Sequence, residues 1–154
     1  MAKTNNPWHI APGINNVGSF QVSGAPYVTS SIRAHDGAVR LQLPSVTRWV
    51  QFINYDTTAS CKVGFSALGL GIVPYSEGGG DVGYHYGHNF FLVPSSSHAQ
   101  LGRHADSGIL EWKVGEIWLE GSSDMTVMAG LTNIKPQSCS GSSGPSWSGS
   151  SGVG

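Results

Sequence analysis

Short apolar stretches separated by turn residues run along the whole chain, and helical periodicity is missing. Val39, Leu41 and Leu43 alternate with polar neighbours until Pro44 ends the stretch. Alternation of this kind is the pattern of a half-buried β-strand. The 22 glycines and 8 prolines interrupt the chain every few residues, which is typical of β-sandwiches and β-barrels. The pattern therefore predicts an all-β protein without significant helix.

The stretch 48–55 is the most apolar, and both of its faces carry large apolar side chains. This pattern predicts a central strand covered on both sides, and together with the alternating stretch 61–67 it predicts a β-hairpin over 48–68. In 108–120 the apolar phase changes at Gly115, which indicates a β-bulge or, alternatively, a bend between two strands. Further strands are predicted within 17–28 (interrupted at Ser23-Gly24), 39–43, 88–93 and 125–134.

About eight strands and a long connection at 69–89 fit an eight-stranded antiparallel jelly-roll sandwich. An up-and-down barrel needs shorter and more even connections, and the Cys…Trp…Cys spacing of immunoglobulin domains is missing. The predicted organisation is an N-terminal arm at 1–16, a single jelly-roll domain at 17–135 and a flexible tail rich in Ser and Gly at 136–154.

The charge content changes the picture. Charged residues make up 11% of the 154-residue chain and the formal net charge is −1, whereas charged residues are about 25% of an ordinary domain. A surface poor in charge is easily buried against neighbouring subunits. The few Lys and Arg residues are scattered, which argues against direct nucleic-acid binding. The sequence shows no secretory signal and no membrane span, so we expect a protein made and assembled in the cytoplasm of a host cell rather than secreted.

Candidate chemistry is sparse. His85 and His88 lie three residues apart near Asp81 and are the best metal ligands on offer, but the H-x-H pair and following Glu of cupins are absent, so we predict no metal. No carboxylate pair, G-x-S-x-G elbow or phosphate loop is found, and we predict no catalytic residues and no cofactor. Cys61 and Cys139 do not form a disulfide framework. A bridge between them stays an open alternative to a buried Cys61.

Aromatic residues are the remaining candidates for contact with other molecules. Trp49 and Trp112 are assigned to core or subunit packing because they lie on apolar faces. Trp118 lies beside Glu116 and Glu120 on a polar face, which indicates contact with a partner. The candidate interface residues are Trp8, Tyr27, Tyr84, Tyr86 and Trp118. Exposed Trp and Tyr side chains also suit a glycan.

Several segments together resemble the small single jelly-roll virion proteins of icosahedral double-stranded DNA viruses. The resemblance spans roughly residues 12–134 and rests on the runs PGINNVGSFQVSGAPY, VTRWVQFINYD, KVGFSALG, NFFLVP and LEWKVGEIWLEGSSDMTVMAGLTNI. It implies a jelly roll that fills fivefold vertices as a pentamer (a penton) or cements the shell. The loop at 84–88 and the Ser/Gly tail depart from that pattern and leave the position in the shell open.

The sequence thus predicts a non-enzymatic structural protein of the virion that associates with itself, as a pentamer at capsid vertices, and contacts neighbouring capsid proteins. Two alternatives remain. One is a capsid decoration or fibre-like module that binds host glycans through exposed aromatics. The other is a cupin-like metalloenzyme that uses His85 and His88.

Overall fold

A computed structural model describes residues 24–67, 69–71, 89–98 and 104–136, and these residues form eight β-strands. A short 3₁₀ helix lies at Ser96–His98, and no helix in the described ranges has the length and apolar character that crossing a membrane requires. The strands are β1 (Ala25–Ile32), β2 (Val39–Gln42), β3 (Thr47–Asn54), β4 (Cys61–Gly64), β5 (Phe90–Val93), β6 (Ala105–Asp106), β7 (Glu116–Glu120) and β8 (Met125–Leu131).

The strands pair as one long hairpin that has been rolled up. Strand β4 pairs with β5, β3 with β6, β2 with β7 and β1 with β8, and every pair is antiparallel. Further pairing of β8 with β3 and of β7 with β4 closes two four-stranded sheets, of order β1-β8-β3-β6 and β2-β7-β4-β5. This is the arrangement of a jelly roll, so the predicted fold class is confirmed.

The core lies between the two sheets and is built from alternate residues of the strands. Val50 and Phe52 of β3 face Ile117 and Leu119 of β7, and all four side chains are fully buried. Phe52 also meets Phe91 edge to face, with the ring centroids 5.6 Å apart. The alternation along each strand, visible in the sequence, therefore separates the side chains that point into this core from those that lie on the two outer faces.

The predicted hairpin over 48–68 is wrong. β3 and β4 belong to different sheets, so the turn after Asn54 carries the chain across the sandwich instead of back along its neighbour. The partner of β3 on its open side is β6, which begins at Ala105. A short polar connection can form either a hairpin turn or a crossing between the sheets. The rolled topology decides which strand pairs with β3. The central position predicted for 48–55 is confirmed, since β3 lies between β8 and β6.

The predicted single strand over 108–120 with a bulge at Gly115 is also wrong, and the alternative of a bend is closer. Leu110 forms an isolated bridge to Val50 in the first sheet, whereas β7 belongs to the second sheet. The Leu43 N–H donates to the Gly115 carbonyl over 2.9 Å, where the chain joins the second sheet. The change of apolar phase therefore marks a crossing between sheets.

The strand predicted after the interruption at Ser23-Gly24 extends beyond its predicted end at Val28. β1 starts directly after Gly24 and continues to Ile32, past a register irregularity between Thr29 and Ile32. The second half of β1 is polar, so the sequence pattern does not indicate a strand there. The predicted arm 1–16, residues 17–23 and most of the connection 69–89 and of the tail 136–154 lie outside the described residues.

A buried amide joins the ends of both sheets. The Asn54 Nδ2 donates to the carbonyls of Ala59 at 2.9 Å and Pro94 at 3.0 Å. The Asn54 Oδ1 accepts from the Asp56 N–H at 3.0 Å and from the Ser122 hydroxyl at 2.8 Å. One fully buried side chain therefore connects the β3–β4, β5–β6 and β7–β8 connections.

The Asp56 carboxylate completes this clamp, which we define as the side chains of Asn54 and Asp56. One oxygen accepts from the Thr58 N–H at 2.8 Å, the Thr58 hydroxyl at 2.9 Å and the Ala59 N–H at 3.0 Å. The other accepts from the N–H and hydroxyl of Ser123 at 2.8 and 2.6 Å. These bonds, the Ser123 hydroxyl first, hold the pKa of Asp56 far below its usual range, because they stabilise the charged form.

Replacing Asp56 with Ala should lower the free energy of unfolding by about 3 kcal/mol at neutral pH, because five donors lose a buried acceptor. The native pKa lies below the unfolded value of about 3.9. The contribution is therefore complete above about pH 5 and is lost as the pH falls toward the lowered native pKa. Urea unfolding at neutral pH and at about pH 3 measures both effects, and the difference between variant and native chain should shrink in acid.

Asp36→Ala is the matched control. The Asp36 side chain is 84% exposed and its ion pair with His35 lies at the surface, so the free energy of unfolding should change by less than about 0.5 kcal/mol. Equal losses from the two variants would contradict the clamp.

Candidate assembly surface

Over strands β1, β8 and β3 the paired outward positions of the β1-β8-β3-β6 sheet carry no charge, and Asp106 of β6 lies beside Ile53 at the far edge. Register places these outward positions in three rows: Val28, Met128 and Gln51; then Pro26, Gly130 and Trp49; then Thr126 and Ile53. None of these eight positions carries a charge. We call this set the uncharged face.

The uncharged face is exposed along β1 and is covered at the end where Thr126 and Ile53 lie. Val28 is 60% exposed, whereas Ile53 and Thr126 are each 8% exposed. β1 is an edge strand of eight residues with no charged side chain, although edge strands usually carry charges that block association. Burying these eight positions against another protein surface would desolvate no charged group among them, and Asp106 borders the face beside Ile53.

The outer face of the β2-β7-β4-β5 sheet has the opposite character. Glu116 is 1% exposed and its Oε2 lies 2.6 Å from the guanidinium of Arg40. The Trp118 indole N–H donates to the other oxygen at 2.6 Å, and the Arg40 guanidinium lies 5.8 Å from the Trp118 ring centroid. Glu116 thus links a cation and an aromatic ring across two strands, and its hydrogen bond raises the pKa of Arg40.

A second ion pair crosses the same face. The Lys62 Nζ lies 2.8 Å from a carboxylate oxygen of Glu120 and 5.3 Å from the ring centroid of Phe90. Beside it, Leu92 on the edge strand β5 is 58% exposed. The charges on this face are therefore neutralised within the domain, and a single apolar side chain projects from its edge.

A smaller apolar surface lies where the chain crosses between the sheets. Ile109 is 66% exposed and Trp112 is 36% exposed. The Trp112 ring meets the edges of Phe65 and Phe91 at centroid distances of 5.4 and 5.6 Å. Trp112 lies at the margin of the core because the crossing is not a regular strand, so its predicted assignment to core or subunit packing stays a prediction. We call Ile109 and Trp112 the crossover patch.

The structure places two of the five predicted interface residues. Tyr27 points inward from β1 and packs against the core, and its partial burial raises the pKa of its phenol. Trp118 lies on the polar outer face, as predicted from its neighbours, but it is half-buried and is held by Glu116 and Arg40. Trp8, Tyr84 and Tyr86 lie outside the described residues.

The metal candidates His85, His88 and Asp81 also lie outside the described residues. Within the described ranges, no group of three or more His, Cys, Asp or Glu side chains could hold a metal ion. Cys61 is a buried free thiol, and burial raises its pKa to about 11. Cys139 is not described, so the alternative of a bridge to it is not tested.

Comparison of the chain with protein-family models, with curated proteins and with solved structures finds no match.

Neither the uncharged face nor the ion-paired outer face of the second sheet is predicted from the sequence. The uncharged face could have been found by aligning β1, β3 and β8, each of which lacks acidic residues, but the alignment requires knowing that they are neighbours. Arg40 and Glu116 are 76 residues apart in the chain, so no local sequence pattern indicates that they pair. For the crossover patch the only signal is that Ile109 and Trp112 lie close together in the chain.

Arg40→Met should lower the free energy of unfolding by about 2 kcal/mol, because the buried Glu116 loses its charged partner. The matched control is Lys62→Met on the same face. Glu120 is 31% exposed, so water can replace Lys62 and the loss should stay below about 0.5 kcal/mol. Urea unfolding of both variants at one protein concentration measures the difference, and equal losses would show that burial of Glu116 is energetically irrelevant.

The Cys61 thiol should be unreactive in the folded protein. In a Cys139→Ser variant, Cys61 is the single thiol, and its raised pKa of about 11 leaves little thiolate at pH 8. A colorimetric disulfide reagent should therefore modify it at least about a hundredfold more slowly in buffer than in denaturant. Rapid modification in buffer would place Cys61 at an accessible surface instead.

Proposed function

We propose that this protein is a structural component of an icosahedral virion, a single jelly roll that associates with itself as a pentamer at the fivefold vertices and contacts neighbouring capsid proteins. It acts through shape and packing and has no catalytic role. The observation that carries the proposal is the uncharged face on a rigid jelly-roll sandwich. The likeness of the sequence to jelly-roll virion proteins supports the choice of a viral shell.

Geometry supports a ring rather than a face-to-face pair. A closed ring of identical subunits needs two different surfaces that fit each other, whereas a twofold dimer uses the same surface twice. The described residues offer two different apolar surfaces, the uncharged face and the crossover patch. In the proposed ring, Ile109 and Trp112 of one subunit pack on Val28 and Met128 of the next.

The low charge content supports assembly as the source of part of the stability. Interface cores are depleted in Lys, Glu and Asp, and the uncharged face has none of them at its eight positions. On the other outer face the charges are already paired across strands, so this face suits solvent or a polar neighbour. The arm 1–16 and the connection 69–89 are the segments that the sequence assigns to neighbouring capsid proteins.

A charge placed on the uncharged face should break the assembly. We expect the purified chain to run at five times its 16.2 kDa mass in size-exclusion chromatography with light scattering. Val28→Glu and, separately, Ile109→Glu should each shift the mass to that of the monomer, because burying an unpaired carboxylate costs more than the lost contact. Thermal unfolding of the variants confirms that the domain remains folded.

Leu92→Glu is the matched control. Leu92 and Val28 are exposed to a similar degree, 58% and 60%, and both point outward from edge strands. The Leu92 variant should retain the pentamer. A native chain that is monomeric at all concentrations would overturn the proposal, and dissociation by Leu92→Glu would place the interface on the other sheet.

A further inference from the structure

A polar cleft lies at one end of the sandwich, between the β1–β2 connection and the β7–β8 turn. Its volume is about 420 Å³, and Ser31, Arg33, His35, Ser123 and Asp124 line it. This volume falls within the range of about 300–1,000 Å³ that small-molecule sites occupy. None of these residues belongs to the uncharged face or to the crossover patch.

The two walls of the cleft are fixed to each other by backbone hydrogen bonds. The Ala34 N–H donates to the Ser122 carbonyl at 2.8 Å, and the Gly121 N–H donates to the Ala34 carbonyl at 2.7 Å. Ala34 is fully buried, so Arg33 and His35 flank an anchored residue. On the other wall, Ser123 is held by the Asp56 carboxylate. The backbone of both walls is therefore fixed, whereas the exposed Arg33 side chain would lose conformational freedom when it binds a ligand.

Ser31 adopts a backbone conformation that points to function. Its φ is +57°, and in the described ranges it is the one residue other than glycine with a positive φ. It lies in the register irregularity of β1 between Thr29 and Ile32. Bulges of this kind redirect a side chain, and strained residues cluster at binding sites. Here the irregularity brings the Ser31 side chain to the lining of the cleft.

The cleft carries separated charges of both signs. Within the described part of the chain, neither Arg33 nor Asp124 has an ion-pair partner, whereas His35 is paired with Asp36 at 3.0 Å. Arg33 is thus a guanidinium available to an acid, and the Asp124 carboxylate is available to hydroxyl donors. The Ser31 hydroxyl can donate and accept, whereas the Ser123 hydroxyl already donates to Asp56 and can only accept from a ligand.

This lining selects the class of ligand by elimination. An apolar ligand would desolvate every lining group without compensation, and a simple inorganic anion would offer no hydrogen-bond donor to Asp124. A ligand with one carboxylate and several hydroxyls can pair its acid with Arg33 in a bidentate contact and donate its hydroxyls to Asp124. We propose that the cleft between Arg33 and Asp124 binds an acidic saccharide, a uronic or sialic acid unit, through its carboxylate and hydroxyl groups.

This site is distinct from the proposed assembly, and its test does not depend on the oligomeric state. Saturation-transfer NMR observes the ligand and works for monomers and pentamers alike. With the full chain, glucuronate should give saturable transfer in the millimolar range, and glucose should bind about tenfold more weakly because it lacks the charged hydrogen bond. Sialic acid in a parallel titration distinguishes the two acidic sugars.

Variants assign the binding to the cleft. Arg33→Gln should weaken glucuronate about tenfold and remove its advantage over glucose, and Asp124→Asn should weaken both sugars. Lys135→Gln, which removes one positive charge outside the cleft, should leave the affinities unchanged. The proposal is overturned if the native chain gives no transfer at tens of millimolar glucuronate, or if Arg33→Gln binds glucuronate as well as the native chain does.

Discussion

The sandwich depends on the buried clamp of Asn54 and Asp56. Each sheet is held together by ladder hydrogen bonds, whereas the inner faces of the two sheets meet through apolar packing, which is not directional. The clamp fixes the orientation of the two sheets at one end of the sandwich. Asn54 bonds to three connections between strands, and Asp56 joins the β3–β4 connection to the β7–β8 turn. The same Asp56 holds Ser123, a wall of the polar cleft, so the structural clamp and the candidate ligand site share one carboxylate.

The two outer faces of the sandwich differ in charge and in hydrogen bonding. On the β2-β7-β4-β5 sheet, cross-strand ion pairs and a satisfied indole stabilise the fold from outside. On the β1-β8-β3-β6 sheet no ion pair is present at the eight outward positions, and a small residue, Gly130, lies between Pro26 and Trp49. An uncharged surface of this kind contributes little to an isolated domain. It contributes much to an interface, where packing density and the absence of buried unpaired charges determine affinity.

Strand positions were largely predictable, whereas strand partners were not. Burial of one face imposes a period of two, which identified β2, β4 and β8 from their alternation. That period carries no information on which strand lies alongside, so the connection at Asp56 was assigned to a hairpin although it crosses the sandwich. The regular alternation of 110–114 predicts core or subunit packing for Trp112, and the structure shows it partly exposed against Phe65 and Phe91. Asp56 looked like an ordinary turn residue because its essential partner, Ser123, lies 67 residues away. The cleft and the uncharged face share this property, since each joins segments that are distant in the chain.

The nested pairing of the strands has a consequence for synthesis. The partner of the first described strand is the last one, so β1 leaves the ribosome long before β8 can cover it. Until then its uncharged edge and the outward row at Val28 have no neighbour, and such long-range pairing forms slowly. A chain interrupted before Met125 lacks the strand that joins β1 to β3. The uncharged face therefore exists only in chains whose synthesis has included β8.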